Sequence, residues 1–183
     1  MIVILAGVAG SGKSTVGTIL AARLGWTYED SDLLHSTAEI AKMMSGAPLT
    51  DADRWPWLKT VATWMDQKIA AGASAVIACS ALKRTYRDYL RQGRPSVKIV
   101  MLDVNQATLM ARLAGRHGHF FPVKLLQSQL ADLEMPDPAE HVLVVPAAGT
   151  PAEMAGKIIE GLGLAPQPPG PAHPAGPAPG PLP

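Results

Sequence analysis

The chain has 183 residues, of which 48% are hydrophobic and 17% are charged. These values are typical of one globular domain that buries a core, and they exclude a chain that is disordered throughout. The 16 basic and 15 acidic residues leave a net charge of +1, so we expect no electrostatic attraction to nucleic acid or to an anionic membrane. The single cysteine excludes an intrachain disulfide framework and a cysteine-clustered metal site.

No segment of the sequence has the features of a membrane span or a targeting signal. The apolar start of the chain runs for only six residues before the first glycine, and no stretch approaches the ~20 apolar residues that cross a bilayer. The start also lacks the basic segment of a signal peptide. We therefore expect a soluble, cytoplasmic protein with no membrane partner and no nucleic-acid partner.

The last 19 residues differ in composition from the rest of the chain. Residues 165–183 hold nine of the 17 prolines and three glycines, and Leu182 is their one aliphatic residue larger than alanine besides proline. Such a segment cannot bury enough apolar surface to offset its loss of conformational entropy. This predicts a folded domain over 1–164 and a disordered Pro/Ala/Gly-rich tail over 165–183, with a proline-rich ligand for an aromatic groove as the alternative.

Short apolar runs alternate with amphipathic stretches in the first half of the folded part. The pattern predicts, in order, a buried strand over 2–6, a helix over 13–24, a strand over 26–29, a helix from the capping box at 36–39 to residue 44, a helix over 53–71 and a buried strand over 75–79. Glycine follows three of these segments, as is common at the ends of helices.

The same alternation continues in the second half. It predicts a helix over 82–91, a strand over 97–102, helices over 106–114 and 122–133, a strand over 141–145 and a last helix that opens with a capping box at 150–153 and ends near residue 161. Alternating strands and helices of these lengths predict an α/β fold, with a parallel sheet of about five strands and helices on both faces.

A phosphate-binding motif follows the first predicted strand. Residues 7–14, Gly-Val-Ala-Gly-Ser-Gly-Lys-Ser, match the P-loop pattern G-x-x-x-x-G-K-[ST] and lie between a buried strand and a helix, as this motif requires. The glycines let backbone amides point at phosphate oxygens, Lys13 reaches the β- and γ-phosphates and Ser14 ligates Mg²⁺. A chance match in a glycine-rich turn is the alternative. The sequence has no N-K-x-D motif for guanine, which argues against a GTPase.

Two carboxylates follow the second predicted strand. Asp30 and Asp32 are two residues apart, and side chains at this spacing in an extended segment share a face. In one interpretation, one carboxylate lies near Mg²⁺ and the other is the general base that takes a proton from a substrate hydroxyl. In the other interpretation, they form a helix cap and a solvated turn.

A second basic feature lies between two predicted helices. Arg112 and Arg116 are four residues apart and lead into a glycine-containing segment rich in His and Phe. This is typical of a short mobile lid that brings an arginine to the transferring phosphate; a solvated helix end is the alternative. Lys83, Arg87 and Arg91 also share a helical spacing, for which a solvated face is the simpler interpretation and an anion-facing stripe the other.

Together these pieces resemble gluconate kinase (gluconokinase) of the small P-loop type. The match runs in order from residue 2 to about residue 146, and its specific parts are D-x-D-x-x-H at 30–35, D-R-x-P-W-L at 53–58, C-S-A-L-K at 79–83 and G-H-F-F at 118–121. The resemblance implies a three-layer P-loop kinase fold like that of shikimate and adenylate kinases. It also implies ATP and Mg²⁺ as cosubstrates, and phosphorylation of D-gluconate at its 6-hydroxyl. Family members are often dimers, so a homodimer is compatible with it.

The resemblance also implies roles for single residues. The residues that bind ATP are Gly7, Val8, Ala9, Gly10, Ser11, Gly12, Lys13, Ser14 and Thr15 of the P-loop and Arg112 of the lid. The catalytic residues are Lys13, Asp32 as the base and Arg116 of the lid. The metal ligands are Ser14 and Asp30. The residues that line the sugar-acid pocket are Asp32, His35, Arg54, Lys83, Arg87 and His119.

The acid group of the substrate needs a cation of its own, far from the phosphates. Arg54, Lys83 and Arg87 are the candidates outside the P-loop and the lid. The planar guanidinium group can hold a carboxylate by two parallel hydrogen bonds. We therefore predict that Arg54 is the main anchor of the carboxylate.

Two other functions are compatible with a P-loop. A shikimate-kinase-like enzyme would share the P-loop and the D-x-D pair, but it is expected to carry a Gly-Gly-Gly turn where this chain has Cys-Ser-Ala-Leu-Lys at 79–83. A nucleotide-dependent switch or binding module is the second alternative. The missing guanine motif and the predicted arginine lid argue against it.

Overall fold

A five-stranded sheet organises residues 1–114 and 123–167, which are the residues that the computed structural model describes. Its strands are β1 (Ile2–Ala6), β2 (Thr27–Asp30), β3 (Ala75–Ala78), β4 (Val97–Asp103) and β5 (Leu143–Pro146). Their order across the sheet is β2-β3-β1-β4-β5, and all four pairings are parallel. The predicted parallel sheet of about five strands is confirmed.

Helices connect the strands, because parallel neighbours need crossovers that return the chain to the same edge. The α-helices of the described residues are α1 (Lys13–Leu24), α2 (Thr37–Met44), α3 (Asp51–Ala70), α4 (Arg84–Arg91), α5 (Gln106–Ala114), α6 (Val123–Asp132) and α7 (Pro151–Gly161). Two short 3₁₀ helices cover Ser31–Leu34 and Pro138–Glu140. Among the described residues, no helix has both the length and the apolar character needed to cross a membrane.

The central strand β1 is covered on both of its faces. Ile2 and Ile4 pack on the side of α3 and α4, whereas Val3 and Leu5 pack on the side of α1 and α7. All four side chains are fully buried, and each burial of this kind stabilises the fold by about 1.5–3 kcal/mol. A strand between two layers of helices needs such a continuous apolar run, so the predicted three-layer architecture is confirmed.

The ends of α1 agree with the prediction, whereas α3 begins two residues earlier than predicted. The side chain of Thr50 accepts a hydrogen bond from the backbone N–H of Asp53, and the Asp53 carboxylate accepts one from the backbone N–H of Thr50. This reciprocal cap starts the helix at Asp51. It places Pro56 in the second turn of α3 rather than in the first turn, where proline is best tolerated.

Two predicted segments lie largely outside the described residues. Most of the predicted lid falls on 115–122, and most of the predicted tail falls on 168–183. The first residues of the predicted tail are described: the backbone N–H of Gln167 donates to the carbonyl of Arg23 at 2.9 Å. The boundary predicted at residue 164 therefore precedes the last described contact with the domain.

Candidate active site

The loop between β1 and α1 curls because three of its glycines adopt a positive φ. Gly7, Gly10 and Gly12 have φ values of 133°, 80° and 101°, a region that favours glycine. A Cβ on Gly7 would lie 3.0 Å from the carbonyl oxygen of Leu102, so this position also lacks room for a side chain. No described side chain caps the first turn of α1. The amides at this helix end are thus suited to an anion.

Three predicted site residues come together where β2 ends beside α1. Ser14 Oγ donates to Asp30 Oδ2 at 2.9 Å, and the Tyr28 hydroxyl donates to the same oxygen at 3.2 Å. Lys13 directly precedes Ser14 in α1, and its Nζ donates to the carbonyl of Val8 at 2.9 Å. The hydroxyl of Ser14 and the carboxylate of Asp30 are thus in contact, and both residues line the same cleft as Lys13.

The structure shows the helix cap of the second interpretation of the carboxylate pair, whereas the metal and base roles of the first stay predictions. Asp30 caps the 3₁₀ helix, since its Oδ1 accepts from the backbone N–H of Asp32 at 3.1 Å, while its Oδ2 faces Ser14. Water reaches the Asp32 carboxylate, which is 80% exposed, although the cleft walls surround it. The protein atoms around the carboxylate in the cleft reduce its solvation, and this effect and the negative charge of Asp30 raise the pKa of Asp32 above its ordinary value. The positive charges of Lys13 and His35 act in the opposite direction.

His35 is held between an aromatic ring and two carboxylates. Its ring stacks on Trp57 with centroids 4.5 Å apart. Nδ1 lies 3.2 Å from Glu39 Oε2, and Nε2 lies 4.0 Å from Asp32 Oδ1. Trp57 is itself fixed, because its Nε1 donates to the carbonyl of Ser31 at 2.8 Å. The contact with Glu39 was missed in the sequence, where this residue was interpreted only as part of a capping box.

Arg54 and Lys83 lie in one cluster with two carboxylates, and only Arg54 of the two lines the cleft. Arg54 Nη1 donates to Asp132 Oδ2 at 2.6 Å and to the Tyr86 hydroxyl at 3.4 Å. Lys83 Nζ donates to Asp51 Oδ1 at 2.8 Å and lies 3.5 Å from Asp132 Oδ1. We call these five residues the Arg54 cluster. The sequence predicted its cations but not the partners Asp51, Tyr86 and Asp132.

The structure contradicts the prediction that Arg87 lines the substrate pocket. Arg87 is fully buried, and its Nε and Nη2 donate to the two carboxylate oxygens of Glu140 at 2.7 and 2.9 Å. Its Nη1 donates to the backbone carbonyls of Leu82 and Glu134 at 2.8 and 2.9 Å. A buried charge needs such pairing. Arg87 therefore ties α4 to the segment around Pro138–Glu140, and it is not a solvated residue either.

The predicted lid residues cannot be placed against this site. Arg116 and His119 belong to 115–122, outside the described residues, and Arg112 lies in α5 with a side chain that is likewise outside them. Their roles stay predictions.

The P-loop, the two aspartates, the stacked pair His35 and Trp57, and Arg54 are among the residues that line a cleft of about 470 Å³, a volume typical of sites for small molecules. Helix α6 closes it on one side, and there Gln129 Oε1 accepts from the backbone N–H of Ala9 at 2.6 Å, a contact that the sequence did not predict. Cys79 also lines the cleft. Burial raises the pKa of its thiol to about 12, so it stays protonated and unreactive.

A second cleft of about 400 Å³ lies beside the first and follows the ends of β4 and β5. The residues that line it include Asp103, Asn105, Thr108, Pro146, Ala147 and Gly149. Both clefts open at the carboxyl ends of the strands, where ligands bind in open α/β sheets.

A P-loop at this edge of a parallel sheet, sharing one cleft with the carboxylate of Asp32 and with Arg54, defines the class of P-loop nucleotide-binding phosphotransferases. A family model described as an AAA domain matches residues 2–136. The chain is 48% identical over 142 residues to a gluconokinase of Gluconobacter oxydans (strain 621H). The aligned part covers 78% of this chain and 80% of the relative. The chain belongs to the gluconokinase family.

Two solved structures agree with this assignment. An unliganded sugar kinase from Janibacter sp. HTCC2649 has a TM-score of 0.84 and 45% identity, over 90% of this chain and 95% of the other. A gluconokinase from Sinorhizobium meliloti 1021 has a TM-score of 0.79 and 40% identity, over 88% of this chain and 90% of the other. The family suggested by the sequence motifs is confirmed.

Proposed function

We propose that this protein transfers the γ-phosphoryl group of ATP to the 6-hydroxyl of D-gluconate, giving 6-phospho-D-gluconate. The observation that carries the proposal is one cleft that contains the P-loop, the carboxylate of Asp32 and the guanidinium of Arg54. Phosphate-binding groups, a base and a cation for an acid are the parts that this reaction needs. The names of the relatives support gluconate as the acceptor.

The residues at the P-loop fit a nucleotide with Mg²⁺. Ser14 Oγ and Asp30 Oδ2 are hard oxygen donors at 2.9 Å from each other. In residues 1–114 and 123–167, no group of three or more His, Cys, Asp or Glu side chains could hold a metal. Mg²⁺ usually takes one or two protein oxygens and completes its shell with phosphate oxygens and water. When bound, it neutralises charge on the phosphates.

Lys13 acts at the P–O bond to the β-phosphate, which breaks and releases ADP, and Asp32 acts at the new P–O bond to the 6-oxygen of gluconate. Lys13 leaves the carbonyl of Val8 and neutralises charge on the β- and γ-phosphate oxygens, while the amides at the start of α1 hold them. Asp32 accepts the proton of the 6-hydroxyl while the oxygen of that hydroxyl attacks the γ-phosphorus. The raised pKa of Asp32 makes its carboxylate a stronger base than an ordinary aspartate.

Arg54 holds the carboxylate of the sugar acid away from the phosphates. Its side chain is 12% exposed, and among the described residues only its Nη1 donates, to Asp132 and Tyr86. Lys83 Nζ lies 3.5 Å from the other oxygen of the Asp132 carboxylate that Arg54 contacts. In the same scheme Arg116 contacts the transferring phosphate from the lid and His119 the sugar acid. Arg112 and the second cleft hold the nucleotide base and ribose.

A coupled assay of ATP consumption tests the function directly. We expect turnover with gluconate, little with sorbitol or shikimate and slow hydrolysis without an acceptor. Turnover with shikimate in place of gluconate would favour the shikimate-kinase-like alternative. Slow ATP hydrolysis at a rate that no acceptor changes would favour the nucleotide-dependent switch. Analytical ultracentrifugation of the same sample tests the homodimer, and the cytoplasmic location stays a prediction.

A further inference from the structure

We propose that Asp132 is a positioning residue that fixes the guanidinium of Arg54 and leaves one edge of it to the carboxylate of the sugar acid. The inference rests on the proposed function and adds a determinant of its acid specificity. Asp132 is the last residue of α6 and does not line the cleft, whereas Arg54 does. Asp132 therefore acts through Arg54 rather than by contact with the substrate.

Within residues 1–114 and 123–167, the side-chain hydrogen bonds of Arg54 are all on one nitrogen. Nη1 donates to Asp132 Oδ2 at 2.6 Å and to the Tyr86 hydroxyl at 3.4 Å. Nε and Nη2 donate to no residue within 1–114 and 123–167. These two nitrogens form one edge of the guanidinium plane, and such an edge holds a carboxylate by two parallel hydrogen bonds. The contacts to Nη1 fix the rotation of the plane and keep the Nε–Nη2 edge available.

The charges of the Arg54 cluster are balanced before any substrate binds. Arg54 and Lys83 supply two positive charges, and Asp51 and Asp132 supply two negative ones. The side chains of Arg54 and Asp132 are only 12% and 25% exposed. Unpaired charges at this burial would be costly. The pairing with Asp132 thus allows an arginine to stay in the cleft wall in one orientation.

The other side of Asp132 is also held. Its Oδ1 lies 3.5 Å from Lys83 Nζ, which donates to both carboxylate oxygens of Asp51 at 2.8 and 3.0 Å. Asp51 in turn accepts from the Tyr86 hydroxyl at 2.6 Å. Each group that contacts Nη1 is therefore fixed by a further partner, and this limits the movement of Arg54.

Steady-state kinetics of Asp132→Ala and Asp132→Asn separate orientation from charge. Asparagine keeps an oxygen that can accept from Arg54 Nη1, and alanine does not. We expect Asp132→Ala to raise KM for gluconate roughly tenfold, the size of one lost charge-assisted hydrogen bond. KM for ATP should not change, and the preference for gluconate over sorbitol should narrow. Asp132→Asn should recover most of this loss.

Asp66→Ala is the matched control. Asp66 holds Arg94 at 2.6 and 2.7 Å in an ion pair of the same type, and neither residue lines the cleft. This variant should leave both KM values unchanged.

Three results would overturn the proposal. An unchanged gluconate KM in Asp132→Ala would remove Asp132 from substrate recognition. A lower gluconate KM in Asp132→Asn would show that Asp132 competes with the substrate for Arg54. If Asp132→Ala lowers kcat/KM equally for gluconate, sorbitol and ATP and also lowers Tm, the role of Asp132 is structural only. Failure of the proposed function is distinct from all three, because the wild-type protein would then not phosphorylate gluconate.

Discussion

The wall of the cleft at the P-loop is shaped by backbone, whereas the wall at Arg54 depends on a side chain that paired charges hold from outside the cleft. The P-loop wall lies within one short stretch after β1, and its shape follows from the positive φ of Gly10 and Gly12. The Arg54 cluster joins side chains of α3, α4 and α6, and Asp132 is 78 positions after Arg54 in the chain. Backbone geometry suits a phosphate, which all P-loop proteins bind. Side chains from distant segments can vary independently, and this suits the part of the substrate that distinguishes one kinase from another.

The largest effect is expected from breaking the wall at the P-loop. Lys13→Ala should lower kcat by several orders of magnitude, because a positioned cation contributes on the order of several kcal/mol to a phosphoryl-transfer transition state. The fold should stay intact, as judged by circular dichroism and Tm. Lys59→Ala, a change at an exposed lysine of α3, is the control and should leave kcat unchanged. Near-normal turnover of Lys13→Ala would remove the P-loop from the mechanism.

Arg87 provides a test of which cations belong to the wall at Arg54. Arg87→Met should destabilise the protein by about 3–5 kcal/mol, because it leaves Glu140 as a buried, unpaired charge. The free energy of unfolding in urea measures this loss. The double variant Arg87→Met/Glu140→Leu should recover much of it, with KM for gluconate unchanged. A raised KM without a loss of stability would return Arg87 to the substrate pocket.

Arg54→Lys keeps the positive charge in the wall at Arg54 but removes the planar guanidinium group. We expect a loss of roughly 1.5–3 kcal/mol in kcat/KM for gluconate, as for a charge-assisted hydrogen bond. The ratio of kcat/KM for gluconate and sorbitol should fall as well. If this ratio does not change, the anchor moves to Lys83 and Arg54 becomes a structural residue of α3.

The acid limb of the pH profile examines the base between the two walls. Asp32 must be ionised to accept a proton, and its pKa is raised above the ordinary value of 3.8. Therefore kcat/KM should fall with decreasing pH at a higher pH than for an ordinary aspartate. His35 opposes this rise in the pKa of Asp32, so His35→Gln should move the acid limb to still higher pH. A shift toward lower pH would contradict this assignment of the base.

The smallest effect is expected away from both walls. Deleting residues 168–183 should leave Tm and kcat unchanged, because their composition offers almost no apolar surface to bury. A deletion that starts at residue 165 also removes Gln167 and its hydrogen bond to Arg23, and it should lower Tm slightly. A clear drop in Tm from the shorter deletion would show that the tail packs on the domain.

Local signals in the sequence predicted most of the fold and the wall at the P-loop. The apolar run of β1, the glycine after α1 and the capping box at Ser36 each act within a few residues. The start of α3 was missed because Asp53 completes its capping box, a position where Glu or Gln is the usual signal.

The contacts around Arg54 were harder to predict from the sequence, because they join distant segments. The placement of Arg87 shows how a local rule fails here. Lys83 and Arg87 have helical spacing, yet Lys83 is the N-cap of α4 with extended backbone dihedrals. The two side chains therefore do not share a helical face, and Arg87 turns inward to Glu140, 53 residues away. Likewise, nothing near Ala9 indicates Gln129, which lies 120 residues further along the chain.

Helix α6 contacts both walls of the cleft. Gln129 receives the backbone N–H of Ala9, and Asp132 receives the guanidinium of Arg54, three residues apart on a helix that rises about 1.5 Å per residue. One helix thus joins the phosphate-binding loop to Arg54, the proposed acid anchor. We therefore expect the cleft to select a substrate by its length as well as its charge. An aldonic acid with one carbon fewer would bring its terminal hydroxyl short of the phosphoryl group.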